Sequence, residues 1–259
     1  MESKLYNKID VEFLKDIKSK SVDLVLTDPP YIISQPSGMQ TYKEKVESGG
    51  EVNEKFGKKF AIATEFGSWD KEFTLDMLEK TIGEFYRILK PGGTCIVWFD
   101  LWKIETLKNM LNKFTKIRFI EWVKTNPFPL NSKITYLSNA RETAISCVKG
   151  SKAVFNSQHD KGIYNYPIYS GKDRWHPTQK NLQLFEDLIL KHSNVNDVVV
   201  DPYAGSATTY IAAIKNKRIC LASEPNKEYY EKSLKRIDST PLRSRLASLL
   251  HNFNKNKDL

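Results

Sequence analysis

The stretch "VVVDPYAGSATTYIAA" at residues 198–213 decides the fold class. Its valines predict a buried strand, which Asp201-Pro202 ends because proline removes a backbone donor. The small residues Ala204 to Ala207 predict a turn, followed by a helix that Ser206 or Thr208 could cap. Small residues let a ligand approach the backbone, and a helix start offers unpaired N–H groups to it. This unit is therefore a candidate cofactor site, although a purely structural strand-turn-helix explains the same pattern.

Further strands and helices alternate along the chain around this unit. Amphipathic stretches at 75–89 and 182–192 predict helices, and "LKPGG" at 89–93 ends the first of them. Apolar runs of strand length lie at 22–26, 94–99, 116–123, 142–148 and 218–223. Such alternation predicts an α/β fold with a mostly parallel sheet covered by helices on both faces. Ligands then bind at the carboxyl ends of the strands.

Composition sets limits on the class of protein. A chain of 259 residues can bury one large core, so we expect a single domain over 1–259. Three widely spaced cysteines indicate buried thiols and a cytoplasmic setting. No apolar run approaches the roughly 20 residues of a membrane helix, and we expect a soluble protein.

The positive charge is concentrated in one part of the chain. Residues 103–180 carry 14 Lys and Arg against 5 Asp and Glu, within a chain of net charge +9. This basic segment also contains several tryptophans and tyrosines, a composition that suits the binding of a polyanion. An ordinary lysine-rich, solvated surface explains it equally well.

A second predicted strand also ends in an acidic residue. "VDLVLTDPPY" at 22–31 runs from a buried strand into Asp28, Pro29, Pro30 and Tyr31, and the two prolines make this turn stiff. Glu224 follows the strand at 218–223 and lies 23 residues beyond Asp201. Nucleotide-binding α/β domains place a ribose-binding acidic residue at about that offset. Taken alone, "DPPY" also fits a tight surface turn.

Together these motifs resemble a known family. "DPPY", "HPTQK" at 176–180 and "DPYAGSAT" at 201–208 are similar, in this order, to the beta class of S-adenosylmethionine-dependent DNA amino-methyltransferases. Further similar stretches lie at 87–98, 121–129 and 139–143, and the resemblance runs from about Val22 to Ile237. It implies a Rossmann-like methyltransferase fold with a doubly wound, mostly parallel seven-strand sheet and a permuted motif order.

The chain departs from the family at one position of the cofactor turn. Where the family usually has Gly-Ser-Gly-Thr, this chain has Ala207 in place of the second glycine. Alanine does not adopt a positive φ cheaply. The change is harmless if Ala207 lies in the helix, and it puts cofactor affinity in doubt if it does not.

The resemblance implies a role for each motif residue. Asp28 and the Pro29 carbonyl would accept the N–H groups of an exocyclic amine, Pro30 would keep them rigid, and Tyr31 would stack on a base that has left the duplex. Glu224 would bind the cofactor's ribose. The implied cofactor-binding residues are Asp28, His176, Thr178, Lys180, Asp201, Tyr203, Ala204, Gly205, Ser206, Thr208 and Glu224. For His176 a helix-entry residue is the structural alternative, and no metal is implied.

Recognition of a DNA sequence is expected from segments that match the family least. Residues 128–172 are the expected target-recognition insertion, with Lys133, Arg141, Lys149 and Lys152 as candidate DNA contacts. Arg141 could equally form a structural salt bridge. Residues 34–68 predict a long mobile loop that orders when DNA and cofactor bind.

The resemblance implies methylation of the N6 amine of adenine in specific double-stranded DNA sequences. Cytosine-N4 relatives more often have Ser in place of Asp28, so adenine is favoured over cytosine. A cytosine-N4 enzyme and a catalytically silent DNA-binding relative are the alternatives. A restriction endonuclease partner and a homodimer are further expectations, the second through "LRSRLASLL" at 242–250, for which a simple terminal helix is the plainer account.

Overall fold

The computed structural model describes residues 2–30, 73–127, 137–171, 174–176 and 178–240. These residues contain eight strands of one sheet: β1 (Lys4–Tyr6), β2 (Val22–Thr27), β3 (Leu89–Phe99), β4 (Thr115–Lys124), β5 (Arg141–Val148), β6 (Ile163–Tyr166), β7 (Val198–Asp201) and β8 (Ile219–Ser223). They also contain six α-helices: α1 (Asp10–Lys15), α2 (Leu75–Ile88), α3 (Ile104–Met110), α4 (Leu182–His192), α5 (Thr208–Lys215) and α6 (Lys227–Asp238). A short 3-10 helix, Leu101–Lys103, precedes α3.

The sheet has the order β1-β8-β7-β2-β3-β5-β4-β6. The five strands from β1 to β3 in this order are parallel to one another. β5 is antiparallel to both β3 and β4, while β6 is parallel to β4. Every strand except β5 therefore ends at the same edge of the sheet, which we call the carboxyl edge.

Two apolar cores lie on the two faces of the sheet. Alternate residues of β2 point to opposite sides: Leu24 and Leu26 join one core, and Val25 joins the other. The first core contains apolar residues of α4, α5 and α6, and the second contains those of α1, α2 and α3. Both faces are thus covered, which is why the apolar runs at 24–26 in β2 and 198–200 in β7 are continuous rather than alternating.

Local sequence signals explain where the longer helices begin. The Thr74 hydroxyl accepts the Met77 N–H at the start of α2. Asn181 and Asn226 cap α4 and α6 in the same way, through side-chain oxygens that accept the N–H of the residue three positions later. α5 differs, because Ala207 occupies its N-cap and no side chain caps it. The prediction that Ser206 or Thr208 caps this helix is therefore wrong.

The fold class is confirmed, with two short strands added. The predicted helices at 75–89 and 182–192 correspond to α2 and α4, and all six predicted strands are present. β3 begins earlier than expected, at Leu89, because the segment "KPGG" continues along the sheet with a register shift opposite β2. The described sheet has eight strands, whereas the resemblance implied seven; the short strands β1 and β6 lie at its two edges and add to the six that the sequence pattern predicts.

Other expectations meet the structure only in part. Cys95, Cys147 and Cys220 are free, buried thiols, as predicted. In the part of the chain that the structure describes, no helix is long and apolar enough to cross a membrane. The predicted loop at 34–68 and the helix pattern at 242–250 lie outside the described residues.

Candidate active site

The carboxyl edge brings together motif residues that are far apart in the chain. Asp28 follows β2, Asp201 ends β7, and Glu224 follows β8, and these three strands are neighbours in the sheet. A direct hydrogen bond links the first two strand ends: the Thr27 hydroxyl donates to Asp201 Oδ1 at 2.7 Å. The predicted site residues after these strands therefore share one edge.

Asp28 forms an ion pair with Lys180. The distance from Lys180 Nζ to Asp28 Oδ2 is 3.1 Å, and the two side chains are 7% and 18% exposed, respectively. Lys180 precedes Asn181, the N-cap of α4, so the start of this helix fixes its backbone. Two residues that the sequence placed near the methionine end of the cofactor and at the amine thus lie side by side.

Two residues that sequence reasoning missed complete this charged group. Lys180 Nζ also contacts Glu142 Oε2 at 2.5 Å, and Glu142 Oε1 accepts from Lys124 Nζ at 2.8 Å. Burial alone would raise the pKa of Glu142, but the charges and hydrogen bonds of Lys180 and Lys124 outweigh it and hold that pKa at about 2. Glu142 is therefore an anion at neutral pH. It lies within the family-like stretch 139–143, which was the only available signal for it.

Asp201 connects the strand end to the turn that follows. Its Oδ1 accepts from the Thr27 hydroxyl and from the Tyr203 N–H, at 2.7 and 3.1 Å. Burial raises the pKa of Asp201 to about 6; the hydrogen bonds it accepts act against this, and the nearby charge of Asp28 adds to it. Asp201 is therefore a fixed, buried group that orients the turn after β7.

The turn from Ala204 to Ala207 is held by Glu224 and by helix α6. Glu224 is buried, and its two carboxylate oxygens accept the N–H groups of Gly205 and Asn226, each at 2.9 Å. On the other side, Ser233 donates its hydroxyl to the Gly205 carbonyl. Arg236, also on α6, donates to the Ser206 carbonyl at 2.6 Å and to the Thr208 hydroxyl at 3.0 Å. Sequence reasoning missed both α6 residues, whose contacts depend on tertiary packing.

Two residues of this turn have left-handed backbone conformations. Gly205 has a φ of 49°, and Ala207 has a φ of 60° with a ψ of 32°. Ala207 is fully buried in the first core and lies immediately before α5 rather than inside it. Ala207 therefore does not lie in the helix, the position that would have made the change from glycine harmless, and this alanine adopts a positive φ.

His176 packs against the turn at Gly205. A Cβ added to Gly205 would lie 3.3 Å from the His176 ring, so glycine permits this close approach. Burial, followed by nearby positive charges, lowers the pKa of His176 to about 4, which leaves the ring neutral at pH 7. The Thr178 N–H donates to Nδ1 at 3.3 Å, so the proton is on Nε2. His176 and Tyr229 of α6 are in edge-to-face contact, with ring centroids 4.8 Å apart.

The Tyr203 hydroxyl forms a hydrogen bond with Asp10 in the protein interior. The hydroxyl donates to Asp10 Oδ2 at 2.5 Å, and the Thr81 hydroxyl donates to the same oxygen at 2.6 Å. Burial, with the charge of Asp10, raises the pKa of Tyr203 well above its ordinary value. Tyr203 therefore anchors the turn to α1 and α2, and only its ring is available to line a cofactor.

The four candidate DNA contacts have different positions. Arg141 begins β5 at the carboxyl edge and forms the salt bridge considered for it, with Glu121 at 3.2 Å. Lys149 and Lys152 follow the other end of β5, and Lys149 Nζ donates to the carbonyls of Tyr86 and Leu89. Eight residues of β5 separate these lysines from the carboxyl edge, about 25 Å of extended chain. Lys133 and the catalytic candidate Tyr31 lie outside the described residues.

The residues at this edge fit a nucleoside-bearing cofactor. Each carboxylate oxygen has two lone pairs, so Glu224 can accept ribose hydroxyls in addition to its two N–H partners. Gly205 lacks a Cβ, so the His176 ring packs directly against this turn. Lys180 offers a cation at the same edge for a carboxylate. Among the described residues, no three His, Cys, Asp or Glu side chains are grouped so that they could hold a metal ion.

This fold and this site define an α/β protein that binds a nucleoside-bearing cofactor beside an acidic Asp-Pro-Pro turn. The chain belongs to the DNA methylase family of N6 and N4 methyltransferases, whose model matches residues 22–235. It is 30% identical over 254 residues to the type II methyltransferase M2.LlaDCHI of Lactococcus lactis subsp. cremoris, a match that covers 88% of this chain and 86% of that protein. It is 27% identical over 257 residues to the DNA adenine methyltransferase YhdJ of Escherichia coli (strain K12), covering 87% and 79% of the two chains.

Solved structures support the same assignment. The M1.HpyAVI–SAM complex has a TM-score of 0.64 and 26% identity, and the match covers 92% of this chain and 100% of that one. The cytosine-N4-specific PvuII DNA methyltransferase is 18% identical and shares the fold, with a TM-score of 0.67 over 90% of this chain and 86% of that one. The family resemblance and the enzyme class, a DNA methyltransferase, are confirmed. S-adenosylmethionine, the cofactor expected from the sequence, is present in the first of these structures.

Proposed function

We propose that this protein transfers a methyl group from S-adenosylmethionine to the N6 amine of an adenine that has left the stack of a specific double-stranded DNA sequence. The observation that carries the proposal is the position of Asp28. This carboxylate lies immediately after β2, paired with Lys180, at the same sheet edge as Asp201, the Gly205 turn and Glu224.

The chemistry requires an acceptor like Asp28. The lone pair of an aromatic amine is delocalised into its ring, so the nitrogen is a poor nucleophile. Hydrogen bonds from its two N–H groups to the Asp28 carboxylate and the Pro29 carbonyl favour a more tetrahedral nitrogen, whose lone pair then points at the methyl group. The two prolines hold these acceptors in place, so little reorganisation is needed as charge develops on the nitrogen. Tyr31, the next residue, is proposed to stack on the base.

S-adenosylmethionine supplies an activated methyl group on a sulfonium centre. Glu224 is proposed to bind its ribose, and Lys180 to pair with its carboxylate. Gly205 and the neutral ring of His176, which packs against it, are proposed to line the cofactor site. The remaining proposed cofactor residues are held by the contacts of the turn and of His176: Asp201, Ala204, Ser206, Thr208 and Thr178.

Two observations favour adenine over cytosine as the target. Asp, rather than Ser, precedes the Pro-Pro-Tyr sequence at position 28. A relative that matches most of this chain is named a DNA adenine methyltransferase. The cytosine-N4 alternative rests on the shared fold of a cytosine-specific enzyme. The silent-relative alternative rests on Ala207 alone, whereas the acidic residues at the carboxyl edge are all present and assembled.

The proposed DNA surface is the carboxyl edge, because the target base has to reach Asp28. Arg141 lies at that edge with 66% of its side chain exposed, so it remains a candidate phosphate or base contact. Residues 128–172 are still proposed to include the target-recognition segment. A restriction endonuclease partner and a homodimer stay predictions.

Nucleoside mass spectrometry tests the proposed function. The protein is expressed in a bacterial host that lacks DNA methylation, with Asp28→Ala expressed in parallel. We expect N6-methyladenine in DNA from cells with the wild-type protein and none with the variant. Detection of N4-methylcytosine instead would show that cytosine, not adenine, is the target. The absence of both methylated bases from wild-type cells would contradict the proposal.

A further inference from the structure

Four charged side chains form a continuous, largely buried chain at the carboxyl edge. Asp28, Lys180, Glu142 and Lys124 follow one another with contacts of 3.1, 2.5 and 2.8 Å. Their side chains are 18%, 7%, 20% and 11% exposed, in the same order. Two carboxylates and two ammonium groups alternate, so their formal charges cancel.

The sheet holds this group rigidly. Lys124 ends β4, and Glu142 lies opposite Trp122 on the neighbouring strand β5. The ammonium of Lys124 lies 5.5 Å from the centre of the Trp122 ring, and that of Lys180 lies 5.7 Å from the centre of the Trp98 ring. Both cations therefore rest near aromatic faces as well as near carboxylates, which limits where they can move.

The position of Lys180 between two carboxylates matters for Asp28. A buried ammonium with a single carboxylate partner would be drawn fully onto it. Asp28 would then accept hydrogen bonds from Lys180 and become a weaker acceptor for an amine. Glu142 contacts the same ammonium at a shorter distance than Asp28 does, so Lys180 is shared between the two carboxylates and is drawn less closely onto Asp28.

We propose that Glu142, neutralised by Lys124, is a positioning residue that shares the Lys180 ammonium with Asp28, limits how closely Lys180 approaches Asp28, and thereby keeps the Asp28 carboxylate able to accept the target amine. This inference rests on the proposed role of Asp28. It gives a function to two residues, on β4 and β5, that belong to neither the Asp-Pro-Pro turn nor the cofactor turn.

The test compares Glu142→Gln with the wild-type protein. Because Lys180 keeps its charge for the cofactor's carboxylate, we expect the Kd of S-adenosylmethionine to change little. We expect kcat to fall by about 10- to 100-fold, the scale of a small misplacement at a reacting group. In a crystal structure of the variant, Lys180 Nζ should move toward Asp28.

A double variant separates positioning from folding. Glu142→Gln alone leaves Lys124 buried without its carboxylate, which lowers the stability of the fold. Adding Lys124→Gln removes that charge, so the Tm should return toward the wild-type value while kcat stays low. Asp23→Asn is the matched control, because Asp23 pairs with Lys90 at the opposite end of β2. It should lower Tm without lowering kcat.

The outcomes are distinct. If kcat recovers together with Tm in the double variant, Glu142 acts only through the fold and the inference is overturned. A wild-type protein that methylates no DNA would contradict the proposed function instead. The crystal structures then decide the inference by themselves, because an Nζ that stays in place in Glu142→Gln overturns it.

Discussion

Ala207 shows how a single backbone angle limits the choice of residue. Its φ of 60° is a conformation in which a Cβ is crowded by the backbone, whereas its methyl group is fully buried in the core. These two effects oppose each other when the side chain is removed. Replacing Ala207 with glycine relieves backbone strain of about 1 kcal/mol. Loss of the buried methyl group costs about 0.8 kcal/mol.

We therefore expect Ala207→Gly to change the free energy of unfolding by less than about 1 kcal/mol. Ala207→Val should cost about 3 kcal/mol or more, because a β-branched residue is strained at positive φ and overfills a buried site. Urea denaturation of both variants measures the difference. Equal losses for glycine and valine would show that packing of the methyl group, and not φ, decides this position.

Residue types alone could identify only part of the site. Asp28, Asp201 and Glu224 are predictable because each follows a recognisable buried strand at a place where α/β proteins bind ligands. Glu142 and Lys124 are not, because their partners lie far away in the chain and the strand pattern gives charged residues there no special role. The structural contact of the Tyr203 hydroxyl with Asp10 is equally hidden, since 193 positions separate the two residues.

At the scale of elements, burial decides which strands the sequence reveals. β2, β3, β5, β7 and β8 have apolar runs because both of their faces are covered, and these runs were identified. β1 and β6 have only three and four residues at the edges of the sheet, too few to show a period. α2 and α4 were predictable nearly to the residue because their apolar faces and caps agree.

The link between β2 and β7 gives a pH-dependent prediction. Asp201 accepts a hydrogen bond from Thr27 across these strands, and burial raises its pKa to about 6 from an ordinary value of 3.8. Between these two values the folded protein keeps a proton on Asp201 that the unfolded chain has lost. The contribution of Asp201 to stability is therefore present at low pH and is lost as the pH rises from about 4 to 6.

Asp201→Asn removes this titration while imitating the protonated carboxyl group. The free energy of unfolding of the wild-type protein, relative to Asp201→Asn, should fall by on the order of 2 kcal/mol between pH 4 and pH 6. Glu142 titrates near pH 2 in the folded protein, and it is the same in both chains, so it cancels in the difference. A difference that is flat across this pH range would show that Asp201 is ionised in the folded state at pH 4.

At the scale of the whole molecule, the two ends of the strands have different roles. The carboxyl edge gathers the acidic turn, the cofactor turn and Glu224, although they come from opposite ends of the chain. Arg141 lies at this edge and Lys152 beyond the other. The basic composition of 103–180 predicted a polyanion surface. Composition does not show at which edge of the sheet each basic side chain lies, so it could not assign the surface to one edge.

The salt dependence of DNA binding tests this division. Each phosphate contact that is lost lowers the slope of log K against log salt concentration by about 0.9. We expect Arg141→Gln to reduce this slope by about one contact and Lys152→Gln to leave it unchanged. A lower slope for Lys152→Gln and an unchanged slope for Arg141→Gln would place the DNA at the opposite edge.

The role of Asp28 in the reaction is tested by the single-turnover rate of methyl transfer by Asp28→Asn, with S-adenosylmethionine and DNA bound at saturation. Lys180 keeps Glu142 as a partner in this variant, so the site should stay folded and both ligands should bind with Kd values near those of the wild type. We predict a rate at least about 100-fold below the wild-type rate, because the charged carboxylate becomes a neutral amide, which accepts more weakly and can turn an N–H toward the amine. A rate close to that of the wild type would contradict the role of Asp28, and with it the account of this site.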